Sequence, residues 1–308
     1  MKQNKLQIEL WEECNAKCPF CYASRYGVKT QDKRQHIIDS IALLDELDVC
    51  EVSLIGGEFF DGQIPPDLCE DFIRLIDKLN AMLNSGKLNS VLISTNLMHL
   101  CDRTDCLKLD DVLSRFSDLK KIHVCSSYDV EGRFKSEEIK QKWLEEVDRL
   151  KAEYPDLRLV VNIIATRAFT RAIKDGFNLN FLLNKFDWMC ITVPSTSIST
   201  DFDSEFENKE KFERDTGLAF FPTRSEFLEI LPILHEQVGD KVIKAMFDRQ
   251  YHANLVAYWH DDELLLYPFN GDNRFGDRYT FNLNNGYLDN NEISMLEDTQ
   301  DYCESAGI

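Results

Sequence analysis

No stretch of this 308-residue chain approaches the ~20 consecutive apolar residues that a membrane-spanning helix needs, and its opening Met1-Lys-Gln-Asn-Lys-Leu6 has no apolar run of the kind that directs secretion. A membrane enzyme and a disulfide-built secreted domain are therefore set aside. Ten cysteines in such a chain are expected as reduced thiols in a cytoplasmic compartment. Positive charge is scarce: 35 Lys and Arg face 54 Asp and Glu, for a formal net charge of −19 and a pI of about 4.7. That field repels a phosphate backbone at long range, so long nucleic acid is a disfavoured partner. The basic group Arg167, Arg171 and Lys174 reads as a solvated face. Only six histidines are present, and His235, His252 and His260 are too scattered to build a metal site. No internal repeat or low-complexity tract points to a solenoid or a linker. What remains is an ordinary globular composition, 44% hydrophobic and 29% charged, long enough to bury a large core.

Against that background one run stands out. Cys14, Cys18 and Cys21 lie in Trp11-Glu-Glu-Cys-Asn-Ala-Lys-Cys-Pro-Phe-Cys-Tyr22, a C-x3-C-x2-C spacing that lets three thiolates converge on one soft-metal centre. Zinc sites usually close with four protein ligands, often as paired C-x2-C units or Cys/His pairs. Three thiolates suit an iron–sulfur cube with one iron left open. Zinc and reduced structural thiols are the alternatives. Cys101 and Cys106 form a C-x4-C pair with no second pair to match and read as incidental thiols. Cys50, Cys125 and Cys190 fall in strand-like runs and are expected in the core.

Strand and helix patterns alternate along the first two-thirds of the chain. Strands are expected at Leu6–Trp11, 51–55, 90–96, 121–126, 157–165 and 188–193, and helices at 32–47, 66–84, 136–153 and 178–186. Six strands separated by helices imply parallel pairing through right-handed crossovers. After Pro194 the chain turns polar and acidic over 195–216, as a loop or lid. Helical patterns follow at 224–237 and 240–249, then a hairpin of 254–260 and 263–267 around an Asp-Asp turn.

In its cysteine loop the chain resembles the radical S-adenosylmethionine (radical SAM) enzymes, whose signature is C-x3-C-x2-C with an aromatic residue before the last cysteine. Phe20 holds that place, and Asn15 and the preceding strand also match. The resemblance implies an α/β fold, a (β/α)6 partial TIM barrel over residues 1–194 with a C-terminal α+β cap over 195–308. It also implies one [4Fe–4S] cluster on Cys14, Cys18 and Cys21, with SAM chelating the open iron. Phe20 is then placed to cover the cluster. Gly56-Gly57-Glu58, directly after the second strand, matches the family's Gly-Gly-Glu motif, in which a carboxylate meets the methionine amine of SAM. Thr95 and Asn96 match a Thr-Asn pair at the third strand's end, where a plain turn is the alternative. At the fourth strand's end Ser126 is the preferred ribose contact and Asp129 the second. Asn162 and Thr166 resemble polar positions that help hold SAM. Arg167 is a candidate for its carboxylate, with a surface or interface role as the alternative.

The activity implied is reductive cleavage of SAM to a 5′-deoxyadenosyl radical, which abstracts hydrogen from the substrate. It requires an electron donor such as flavodoxin or ferredoxin. The tail resembles a worn-down SPASM/twitch-like extension in which Tyr267, Pro268 and Phe269 stand where auxiliary-cluster cysteines would be. Tyr267, Phe269, Arg274 and Arg278 then line a substrate pocket or pack as a structural cap. That extension favours a peptide or amino-acid-bearing substrate over other small molecules. A nucleoside or nucleobase-linked substrate, including a hypermodified DNA base, is the alternative. From a different class comes a non-catalytic iron–sulfur or zinc redox sensor or scaffold.

Overall fold

A computed structural model describes residues 4–21, 30, 32–60, 62, 64–98, 106–194, 214, 220–238, 242–246, 255–260, 263–268 and 280–281, the last four segments as backbone. Strands β1 (Asn4–Glu9), β2 (Val49–Ile55), β3 (Ser90–Ser94), β4 (Ile122–Tyr128), β5 (Arg158–Ile164) and β6 (Trp188–Thr192) pair in sequence order, every neighbour parallel. Helices α1 (Lys33–Glu46), α2 (Cys69–Asn84), α3 (Leu109–Leu113), α4 (Glu137–Glu153), α5 (Arg167–Lys174) and α6 (Asn180–Leu183) run between them, and α7 (Arg224–Val238) follows. This is the expected α/β partial barrel, an unclosed parallel sheet with crossover helices.

The helices begin where the sequence provides caps. Asp32 accepts from the Gln35 amide ahead of α1, Ser136 from Ile139 ahead of α4, and Thr166 from Phe169 ahead of α5. Pro65 and Pro66 shape the short 3-10 turn that leads into α2. Along β4 the side chains alternate, with Ile122, Val124, Ser126 and Tyr128 buried and His123, Cys125 and Ser127 half-buried. The buried set joins Leu6, Ile8, Val52, Leu54, Ile93, Val161 and Ile163 in one core with the apolar faces of α2 and α4. Phe72, Leu75, Ile76 and Leu79 come from α2, and Trp143, Val147 and Leu150 from α4. Each such side chain removed from water contributes about 1.5–3 kcal/mol.

The chain after Pro194 departs from expectation in one place. Residues 242–246, anticipated within a helix, form β7 (Val242–Met246), parallel to β6. A β-branched run beside an open parallel edge gains a ladder, and that tertiary pairing overrides helical periodicity. The anticipated hairpin is present as β8 (Leu255–His260) and β9 (Glu263–Pro268), and β8 pairs parallel with β1. With β10 (Thr280–Phe281) on β7, the sheet order is β10-β7-β6-β5-β4-β3-β2-β1-β8-β9. The hairpin thus extends the barrel sheet itself. Residues 195–213, Cys101, Cys303, Phe269, Arg274 and Arg278 lie outside the described residues. Among those described, no helix is long and apolar enough to cross a membrane.

Candidate active site

Because β1 to β6 are parallel, their carboxyl ends share one edge, the edge at which such sheets bind ligands. The cysteine loop leaves β1 there and stays against the turn that leaves β2. Leu10 N–H donates to the Ile55 carbonyl at 3.2 Å, Gly57 N–H to Trp11 at 2.7 Å and Glu58 N–H to Glu13 at 2.9 Å, while the Trp11 indole N–H reaches the Glu58 carbonyl at 3.2 Å. This contact explains the two glycines. A Cβ on Gly56 would lie 2.3 Å from the Trp11 carbonyl oxygen, and one on Gly57 would lie 1.9 Å from that of Glu13. Gly56 also has φ +149°. The close approach they permit is to the cysteine loop's own backbone.

Glu58 sits at the centre of the constellation, fully buried. Its Oε1 accepts from the Phe59 and Phe60 amides at 2.9 and 3.0 Å and from the Thr95 hydroxyl at 2.9 Å, and its Oε2 accepts from the Asn96 amide. Asn96 in turn extends its side-chain amide to the Cys14 sulfur at 3.8 Å, and the Ala16 N–H reaches the same sulfur at 3.4 Å. Gly56, Gly57, Glu58, Thr95, Asn96 and Cys14 are therefore brought together. Leu97, next along, holds φ +56°, an uncommon value for a side chain of its size.

The base of the cysteine loop is pinned from outside the motif. Glu13 accepts from the Thr30 amide at 3.1 Å and hydroxyl at 3.2 Å, and Lys33 lies 3.5 Å from it and 5.0 Å from the Trp11 ring. Cys18 and Phe20 are buried, while Cys14 and Cys21 are half-buried. Burial pushes the Cys14 thiol up to about 11, with the Glu58 carboxylate and the other two thiols adding to the effect and the Ala16 N–H opposing it. Burial also raises Cys18, opposed chiefly by the Arg133 guanidinium.

On the other side of the edge the expected residues go separate ways. Ser126 lies against α4, its hydroxyl donating to the Asn96 carbonyl at 3.2 Å and accepting from the Trp143 indole at 3.0 Å. The half-buried hydroxyl on the opposite face is that of Ser127, paired across strands with Asn162. Asn162 accepts from the Thr192 hydroxyl at 3.0 Å. Asp129, buried, accepts from the Glu131 and Arg133 amides at 2.8 and 3.3 Å and from the Arg133 Nε at 3.1 Å. Thr166 caps α5, and Arg167 pairs with Glu226 of α7 at 3.2 Å. Glu13, Gly132, Arg133 and Lys135 are participants that sequence reasoning passed over. No short motif marks Gly132, Arg133 and Lys135, which act from a loop distant in the chain, and the part of Glu13, beside Cys14, shows only through Thr30 and Lys33.

Among the described residues no three His, Cys, Asp or Glu side chains are grouped so as to hold a single metal ion. The cysteine loop nevertheless carries the donor set of a cluster: three thiols in one short loop, two hydrogen-bond donors on the Cys14 sulfur, and a buried aromatic beside Cys21.

No family model matches the chain, and no curated protein matches it. Solved structures do match. With SuiB of Streptococcus suis bound to the precursor peptide SuiA, the TM-score is 0.44 at 15% identity, over 81% of this chain and 49% of that one. With coproporphyrinogen III oxidase (HemN) from Escherichia coli, a radical SAM enzyme, it is 0.43 at 14% identity, over 76% and 52%. With the beta-glycosidase BGL167 it is 0.41 at 9% identity, over 86% and 93%. The chain spans about half the length of SuiB and HemN. The chemistry rests on the residues at the edge.

Proposed function

We propose that this protein is a radical SAM enzyme holding one [4Fe–4S] cluster on Cys14, Cys18 and Cys21, and that it acts on a peptide or amino-acid-bearing substrate. The observation that carries this reading is the chain of contacts from Cys14 through Asn96 to Glu58, which joins the cysteine loop, the Gly-Gly-Glu turn and the Thr-Asn turn in one unit. A redox sensor needs the cysteines but has no use for a buried carboxylate tied to two strand ends beside them.

When bound, cluster and SAM together supply one-electron cleavage of a carbon–sulfur bond and a carbon radical able to take hydrogen from an unactivated position. The chain's own residues then hold, orient and exclude. The Ala16 N–H and the Asn96 amide fix the Cys14 sulfur, and Phe20 keeps water from the third ligand. Glu58 keeps the Gly-Gly turn against the loop and is the carboxylate nearest in role to an ammonium acceptor. The half-buried Ser127, Asn162 and Thr192 offer hydrogen-bonding groups suited to the amides of a peptide. The electron donor is expected to be a flavodoxin or ferredoxin, and an oxygen-sensitive centre of this kind belongs in a reducing, cytoplasmic compartment.

Anaerobic reconstitution with iron and sulfide, followed by SAM and dithionite, tests the reading. Formation of 5′-deoxyadenosine is expected, and Cys18→Ala should abolish both the brown chromophore and that product. Intact SAM together with stoichiometric zinc would instead establish the sensor.

A further inference from the structure

The loop after β4 packs onto the cysteine loop. A Cβ on Gly132, whose φ is +90°, would lie 2.5 Å from the Pro19 ring, so this backbone runs directly over the proline that follows Cys18. Lys135 closes the contact, with its ammonium 3.2 Å from the Lys17 carbonyl and 2.7 Å from that of Gly132. Between these two fastenings stands Arg133. Its side chain is 11% exposed and ion-paired at 3.1 Å to Asp129, whose side chain is 0% exposed. The fastenings on either side of it set this buried cation in the loop that lies against Lys17 and Pro19, the two residues that flank Cys18.

We propose that Arg133 is a positioning residue for the cluster: held by Asp129 and the Gly132–Pro19 contact, its guanidinium stabilises the added negative charge of the reduced cube and raises its reduction potential, while Asp129 opposes it. The inference rests on the cluster reading above. A fixed cation in a site poor in water is little screened, so it favours the more negative redox state, and local charge is one of the levers by which proteins set such potentials.

The test is an EPR-monitored redox titration of the full-length chain, reconstituted anaerobically, comparing wild type with R133Q, R133K and D129N, with iron and sulfide measured on each. At a fixed potential R133Q should lower the ratio of reduced to oxidised cluster by about tenfold, equivalent to about 59 mV for one electron, and R133K by less than about threefold. D129N keeps an acceptor for the loop amides but loses the opposing charge, so its midpoint should move upward. A merely structural role would lower cluster content in both R133Q and D129N and would not move their midpoints in opposite directions. Equal midpoints for wild type and R133Q at full iron content would overturn the role of Arg133 and leave the cluster in place. A wild-type chain that takes up no iron–sulfur cluster would overturn both. If R133Q does not assemble, an unmoved or lowered midpoint in D129N overturns the proposal by itself.

Discussion

Along β1 to β3 the polar groups of the carboxyl edge bond to one another across loops, whereas along β4 to β6 they bond largely into neighbouring turns and helices. Glu58 ties Phe59, Phe60, Thr95 and Asn96 together, and Asn96 passes the connection to Cys14. Ser126 turns partly to Trp143, Asp129 to its own loop, Thr166 to the first turn of α5 and Arg167 to Glu226. One half of the edge is an interlocked rigid unit. The other is a framework in which Ser127, Asn162 and Thr192 stay half-buried. Such a division suits a fixed inorganic centre beside a more adaptable substrate surface, since a site must be held tightly only where its geometry decides reactivity.

The largest effect is expected where the interlock is tightest. Gly57→Ala places a methyl 1.9 Å from the Glu13 carbonyl oxygen, a distance no side-chain carbon tolerates, so the turn and the cysteine loop must part. We expect a loss of about 2 kcal/mol or more in stability by chemical denaturation. Iron uptake should fall with it, because the loop that carries the ligands moves. Wild-type stability in the Gly57→Ala variant would show that the two loops do not touch.

Ser126 and Ser127 divide the two halves more finely. Ser126→Ala strands the Trp143 indole N–H in the core and should cost about 1–3 kcal/mol. Ser127→Ala, on the half-buried face, should leave the melting temperature nearly unchanged and act, if anywhere, on ligand affinity. The reverse pattern, a stable Ser126→Ala with weakened SAM binding, would identify Ser126 as the ribose contact.

These serines also mark what a sequence can tell. Strand β4 is plain in Ile122-His-Val-Cys-Ser-Ser-Tyr128, and so is its alternation, but either serine is compatible with a ligand until the place of Trp143 is known. The cysteine spacing, the order of the first six strands and the Gly-Gly-Glu turn are local patterns and are legible. The reason for the glycines is not, because the atoms they avoid belong to residues more than forty positions earlier. Strand β7 escapes the sequence for a similar reason: Val242-Ile-Lys-Ala-Met246 is ambiguous alone and is decided by the free edge of β6. Arg133 is invisible because nothing in Asp129-Val-Glu-Gly-Arg-Phe-Lys135 reveals which loop it lies against.

The smallest effects separate anchoring from binding at the start of α5. Thr166→Ala removes the cap on the Phe169 amide and should cost about 1 kcal/mol. Arg167→Ala breaks a partly exposed pair with Glu226, for which about 0.2–1 kcal/mol is expected. A double-mutant cycle with Glu226→Ala, read by denaturation, should recover that coupling and nothing beyond it. The same variants then bear on the ligand. If Arg167 serves only the contact between α5 and α7, SAM affinity by calorimetry is the same in Arg167→Ala as in Glu226→Ala. If Arg167 instead grips the SAM carboxylate, only its own removal weakens binding, and Glu226→Ala strengthens it by freeing the guanidinium. Only the second outcome gives the two variants opposite signs, so a modest change in affinity is enough to decide to which half of the edge Arg167 belongs.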